Sequence, residues 1–76
     1  MVYAYALIEM AAGHSRNLVS ALEGHANIEE ATRVTGPYDV IVVLKGEDLD
    51  QVTEAVTNQI HTMEGVVRTT TCVALN

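Results

Sequence analysis

Residues 35–39 read Thr, Gly, Pro, Tyr, Asp, and residues 68–71 read Arg, Thr, Thr, Thr. The first run is a turn: Gly36 supplies unusual φ, Pro37 fixes its own φ, and Asp39 can bond nearby backbone. It leaves backbone N–H and C=O groups free beside a carboxylate and the ring of Tyr38. In the second run, hydroxyls alternate between the two faces of an extended segment. Turn chemistry and β-propensity suffice to explain either run alone. Together they present a partner for an ammonium group, free amides and hydroxyl donors, the set a zwitterionic amino acid requires.

The other reactive side chains point to no chemistry. His14, His25 and His61 are never three or four residues apart. The first two flank a predicted helix and the third lies on the polar side of another, so all three read as solvated surface, with no metal and no acid–base role. Cys72 sits among small residues without an adjacent base to stabilise a thiolate, and is expected to be a buried structural cysteine. Glu29 with Glu30 fits an edge-strand charge pair, and Asp48 with Asp50 a helix N-terminus. No catalytic residue, cofactor or phosphate loop is expected.

The chain that must position these groups has 76 residues, room for one domain (1–76) and one small core. A domain of this size buries only roughly 60% of its unfolded surface. A single cysteine rules out an intrachain disulfide, so association with other copies is the remaining source of stability. Hydrophobic residues make up 49% and charged residues 18%, values of a folded protein. Phe and Trp are absent, which makes the core aliphatic. The net charge of −6, with Arg16, Arg33, Lys45 and Arg68 dispersed, argues against direct nucleic-acid binding. The apolar opening lacks a basic start and is too short to span a bilayer, so a soluble cytoplasmic protein with no membrane partner is expected.

Residues 2–10 (VYAYALIEM) alternate Val2, Ala4, Ala6, Ile8 against Tyr3, Tyr5, Leu7, Glu9, a strand with two non-polar faces. From about Ser15, the positions Leu18, Val19 and Leu22 predict a short amphipathic helix ending at Gly24. Residues 28–35 alternate weakly and carry Glu29, Glu30 and Arg33, as an edge strand does. After the turn, residues 40–44 (VIVVL) predict a buried central strand. Asp48 and Gln51 mark a helix start, and Leu49, Val52, Val56, Ile60 and Met63 trace its apolar face until Gly65. Residues 66–75 complete the pattern as a fourth strand.

The order βαββαβ predicts an α+β, ferredoxin-like fold: one four-stranded antiparallel sheet with two helices on one face. Two helices cover one face only, yet residues 40–44 are apolar on both. Leaving the second face in water would forgo on the order of 5 kcal/mol, comparable with the net stability of a small domain. A second copy packed sheet to sheet, a dimeric α/β sandwich, is the simplest cover.

The run from Thr35 to Val40, the helix start at Asp48 to Asp50 and the segment Met63 to Thr71 together resemble the effector-binding (RAM) domain of the Lrp/AsnC regulators, across essentially the whole chain. The resemblance implies the same fold, with dimers assembling into a homo-oligomer, commonly a tetramer of dimers (an octamer), and small effectors, usually amino acids, bound between dimers. Carried over by position, Gly36, Pro37 and Tyr38 would offer backbone groups and a wall, Asp39 would meet the ammonium, and Thr69 and Thr71 would bond the ligand's polar end. Family members normally carry a helix-turn-helix before this domain. Here Met1 directly precedes the first strand, which is similar to stand-alone members that act in transcription regulation through partners.

Two other readings share this architecture. A small dimeric ferredoxin-like enzyme, such as a cofactor-free oxygenase or isomerase, needs an acid or base inside a pocket, and buried polar residues are scarce here. A ligand-free subunit that co-assembles with a full-length Lrp/AsnC regulator would need only the sheet face.

Overall fold

Strand β1 (Val2–Met10) lies inside the sheet, paired along both of its edges, and its alternating residues meet two different surroundings. In the computed structural model, which describes residues 1–75, Ala4, Ala6 and Ile8 are fully buried. Tyr3 and Tyr5, pointing the other way, are 40% and 44% exposed. Helix α1 (Ser15–Leu22), β2 (Ile28–Arg33), β3 (Val40–Gly46) and helix α2 (Leu49–Ala55) follow. A π-helical turn (Val56–Ile60) extends α2, and β4 (Val66–Val73) closes the order.

The four strands form one antiparallel sheet in the order β2-β3-β1-β4, the ferredoxin-like βαββαβ arrangement expected. Register explains the packing: Ala4 faces Leu44, Ala6 faces Val42 and Ile8 faces Val40 across the central pair. These residues share one buried cluster with Leu18 and Leu22 of α1, Val52 and Ala55 of α2, and Ile60. Both helices therefore cover the same face. Each fully buried Val, Leu or Ile contributes roughly 1.5–3 kcal/mol relative to exposure.

The element ends differ in detail from the sequence pattern. β2 stops at Arg33, not residue 35, because residues 34–39 form a loop closed by Val34 N–H donating to Asp39 O at 2.9 Å. β3 runs on to Gly46, since Lys45 N–H donates to Asn27 O and Asn27 Nδ2 donates back to Lys45 O. β4 ends at Val73. Leu49, expected in the core, is 52% exposed. The sheet's strand β3 ends at Gly46, close against Gln51 and Val52, and Val52, not Leu49, is the first buried residue of α2. Asp48 caps α2 by accepting Gln51 N–H, while Gln51 Oε1 accepts from Glu47 N–H, one residue earlier than a reciprocal box would have it.

The uncovered face carries Leu7, Ile41 and Val43, all half-buried, with Tyr5 opposite both Val43 and Cys72. Cys72 is exposed, not buried as its neighbours in sequence suggested. It lies on edge strand β4 and points to the side without helices, where no second layer covers it.

Candidate functional site

Asp39 is fixed by three hydrogen bonds at the point where β1 outruns β3. Its N–H donates to Ile8 O at 2.8 Å and its carbonyl accepts Val34 N–H. Its carboxylate Oδ2 accepts the Met10 N–H at 2.8 Å, standing where a strand carbonyl would otherwise be. Oδ1 has no protein partner among the described residues. The loop before it needs Gly36, whose φ is +131°, a value that other residues rarely adopt. Pro37 brings no N–H, while the N–H groups of Thr35, Gly36 and Tyr38 have no protein acceptor among the described residues. Gly36 and Pro37 are exposed and Tyr38 is half-buried.

An open cleft of about 580 Å³ lies beside this loop, walled by Ser15, Arg33, Val34, Thr35 and Asp39. Arg33 pairs in register with buried Val40, which puts it on the helix-covered face. Its Nε–H donates to Ser15 Oγ at 3.3 Å, tying the end of β2 to the first turn of α1. From the sequence alone Arg33 reads as an edge-strand charge and Ser15 as no more than a helix start. The signal was parity: Arg33 is two residues after Ala31, on the apolar side of its strand.

The threonines stand on the far side of β1. Thr69 is opposite Ile8 and Thr71 opposite Ala6, both on the helix side, while Thr70 pairs with Leu7 on the open side. Thr69 Oγ1 is buried without a hydrogen-bond partner, and Thr71 is exposed. Asp39 bonds one flank of Ile8 and Thr69 pairs with the other, so their strands are about 10 Å apart, two strand spacings. Within one protomer the turn and the threonines therefore frame the end of β1 and do not share a cleft. Arg68 Nε lies 3.6 Å from Glu9 Oε2.

His14 is half-buried and packs over Gly65, with Nδ1 3.8 Å from Glu64 Oε1. His25 borders a second cleft, of about 400 Å³, with Asn27, Gln51, Glu54, Asn58 and Gln59. Among the described residues, no group of three or more His, Cys, Asp and Glu side chains is placed to hold a metal ion, and no helix is long and apolar enough to cross a membrane.

A family-level sequence profile described as the Lrp/AsnC ligand binding domain matches residues 3–76. The chain belongs to the Lrp/AsnC family. This Lrp/AsnC domain is similar to the protein TTHA0845 from Thermus thermophilus at 32% identity, covering 100% of this chain and 95% of that one, with a TM-score of 0.93. It is equally similar in sequence to PHS023 from Pyrococcus horikoshii, at 32% identity over 100% of this chain and 92% of that one, TM-score 0.91. A transcriptional regulator from Neisseria meningitidis, NMB0573, solved as an L-Met complex, shares the fold at 14% identity. That match has a TM-score of 0.84 and covers 99% of this chain but 50% of the regulator. No curated protein matches. The Lrp/AsnC assignment makes this a regulatory effector-binding domain.

Proposed function

We propose that this Lrp/AsnC domain, as one unit spanning residues 1–76, is a non-enzymatic sensor that binds an amino acid between copies of itself and passes the signal to a transcription regulator. The observation that carries this reading is the pinned Asp39 carboxylate, held through Oδ2 by Met10 yet keeping Oδ1 free beside a polar cleft. Ligand there meets a pre-positioned charge, which lowers the ordering cost of binding.

In this reading Gly36, Pro37 and Tyr38 wall the site, Asp39 takes the ammonium, and Thr69 and Thr71 bond the ligand's polar end. Because Asp39 and Thr69 flank opposite sides of Ile8, one small ligand reaches both only where the turn of one copy meets β4 of another. Thr71 is the exposed one of the two hydroxyls, and Thr69 Oγ1, buried without a partner inside the protomer, reaches a ligand only by turning outward, a change favoured by its unmet hydrogen bond. Dimers form through the open sheet face and assemble further, toward an octamer. The L-Met complex of the structurally similar Neisseria regulator supports amino acids as the ligand class.

Calorimetric titration with the standard amino acids, beside light scattering with and without each, tests this. Binding at or below millimolar concentration with a change in assembly is expected. No binding by any of them sinks the sensing role. The apolar open face also favours a second reading, co-assembly with a full-length Lrp/AsnC regulator without any ligand. Mixed oligomers that ignore every amino acid would select it.

A further inference from the structure

Arg33 and Asp39 wall the same cleft with opposite charges, and no ion pair joins them among the described residues. Two other cations are matched: Lys45 Nζ lies 3.2 Å from Glu29 Oε2 and Arg68 Nε 3.6 Å from Glu9 Oε2, while Arg16, outside the cleft, has no ion pair among the described residues. Arg33 is held instead by a neutral group, Ser15 Oγ, through Nε–H. Both of its terminal amino groups are left without a protein partner among the described residues. A guanidinium anchored at Nε and free at its end presents paired, charge-assisted donors to a carboxylate, which a lysine ammonium cannot reproduce. The neighbouring loop offers only neutral backbone donors, and none from Pro37, so Arg33 is the one cationic group in the cleft wall among the described residues.

We infer that Arg33 is a specificity-determining residue of the effector site: its guanidinium takes the ligand's α-carboxylate while the free oxygen of Asp39 takes the α-ammonium. This rests on the amino-acid-sensing reading and sharpens it. The cleft then selects α-amino acids with both groups unmodified, against α-carboxamides, which lose the charge facing Arg33, and 2-oxo acids, which lose the charge facing Asp39. Ser15 is a positioning residue, fixing the guanidinium from α1.

The test titrates wild type, Arg33→Gln and Arg33→Lys with the amino acid that binds wild type most tightly, its α-carboxamide and its 2-oxo acid. Arg33 is exposed at the end of an edge strand, so both variants are expected to fold, which thermal melting checks. Wild type should prefer the amino acid over the amide by about tenfold or more, the loss expected for a charge-assisted bond pair. Arg33→Gln should bind the amino acid about tenfold more weakly and lose that preference, with Arg33→Lys in between. A folded Arg33→Gln that keeps both affinity and preference overturns the role of Arg33 and leaves sensing intact. Failure of wild type to bind any amino acid overturns both.

Discussion

Asp39 and Met10 are joined by a hydrogen bond of 2.8 Å in which a side-chain carboxylate replaces a strand carbonyl. The paired register of β1 and β3 ends at Ile8 and Val40, so without Asp39 the partly buried Met10 N–H would have no strand partner on that side. The same residue carries the free oxygen assigned above to the ligand, and the two duties can be separated. Asp39→Asn keeps an oxygen acceptor for Met10 but loses the charge. Asp39→Ala loses both. Urea unfolding should show Asp39→Ala destabilised by about 1–3 kcal/mol and Asp39→Asn by less, while calorimetry shows neither binding an amino acid. Equal stability losses in the two variants would remove the acceptor argument.

Gly65 should be the least replaceable turn glycine. Its φ is +91°, and a side chain there would overlap the Cβ and Cγ of His14. Gly24, at φ +85°, has open space instead. Gly24→Ala is expected to cost about 1 kcal/mol, from backbone strain alone, and Gly65→Ala about 2–3 kcal/mol. Adding His14→Ala to Gly65→Ala should cost less than the two single changes summed, because the ring is no longer there to displace. Denaturation midpoints of the four variants measure this.

Much of this fold can be read from sequence pattern, because residues 2–10 alternate, residues 40–44 form a short apolar run and each helix repeats. The alternation of residues 2–10 predicts both faces of β1 correctly, and Asp48 marks the start of α2. What periodicity reports is the face of an element, not its neighbours. Cys72 and Ala6 both sit in apolar runs, yet Cys72 is exposed and Ala6 buried, because Ala6 faces the helices while Cys72, on edge strand β4, faces the open side with Tyr5. The π-helical turn is invisible for a related reason: Val56, Ile60 and Met63 fit an α-helical stripe, while the backbone bonds His61 N–H to Val56 O. At the site, the turn residues stand out by type, but the Arg33–Ser15 contact joins residues 18 apart in sequence and depends on how α1 crosses β2.

The cap of α2 gives a local test. Asp48 Oδ1 accepts Gln51 N–H at 2.9 Å, and the helix is short, so its first turn has little other support. Asp48→Ala should lower stability by about 1 kcal/mol, and Asp48→Asn or Asp48→Ser by distinctly less, since each restores an acceptor. Urea titrations of the three variants check the ranking. Because the cap lies at the opposite end of β3 from Asp39, amino-acid affinity should not change.

The open sheet face makes the strongest demand on the assembly. Leu7, Ile41 and Val43 are half-buried there, Tyr3 and Tyr5 are exposed, and Cys72 is exposed beside them. If copies pack sheet to sheet, Val43 at the centre enters a dry interface, and a carboxylate there would be desolvated without a partner, a cost of several kcal/mol. In the separate protomer the same side chain is partly in water, so the domain itself should survive the change. Val43→Asp is therefore expected to sediment as a smaller species than wild type at equal concentration while keeping its circular dichroism spectrum. Cys72 reports the same event independently: its thiol should react slowly with a disulfide reagent in wild type and many times faster in Val43→Asp, because only dissociation uncovers it. Equal thiol rates in two species of equal mass would show that this face is not where copies meet, and the cover for Ile41 and Val43 would then have to be a different protein.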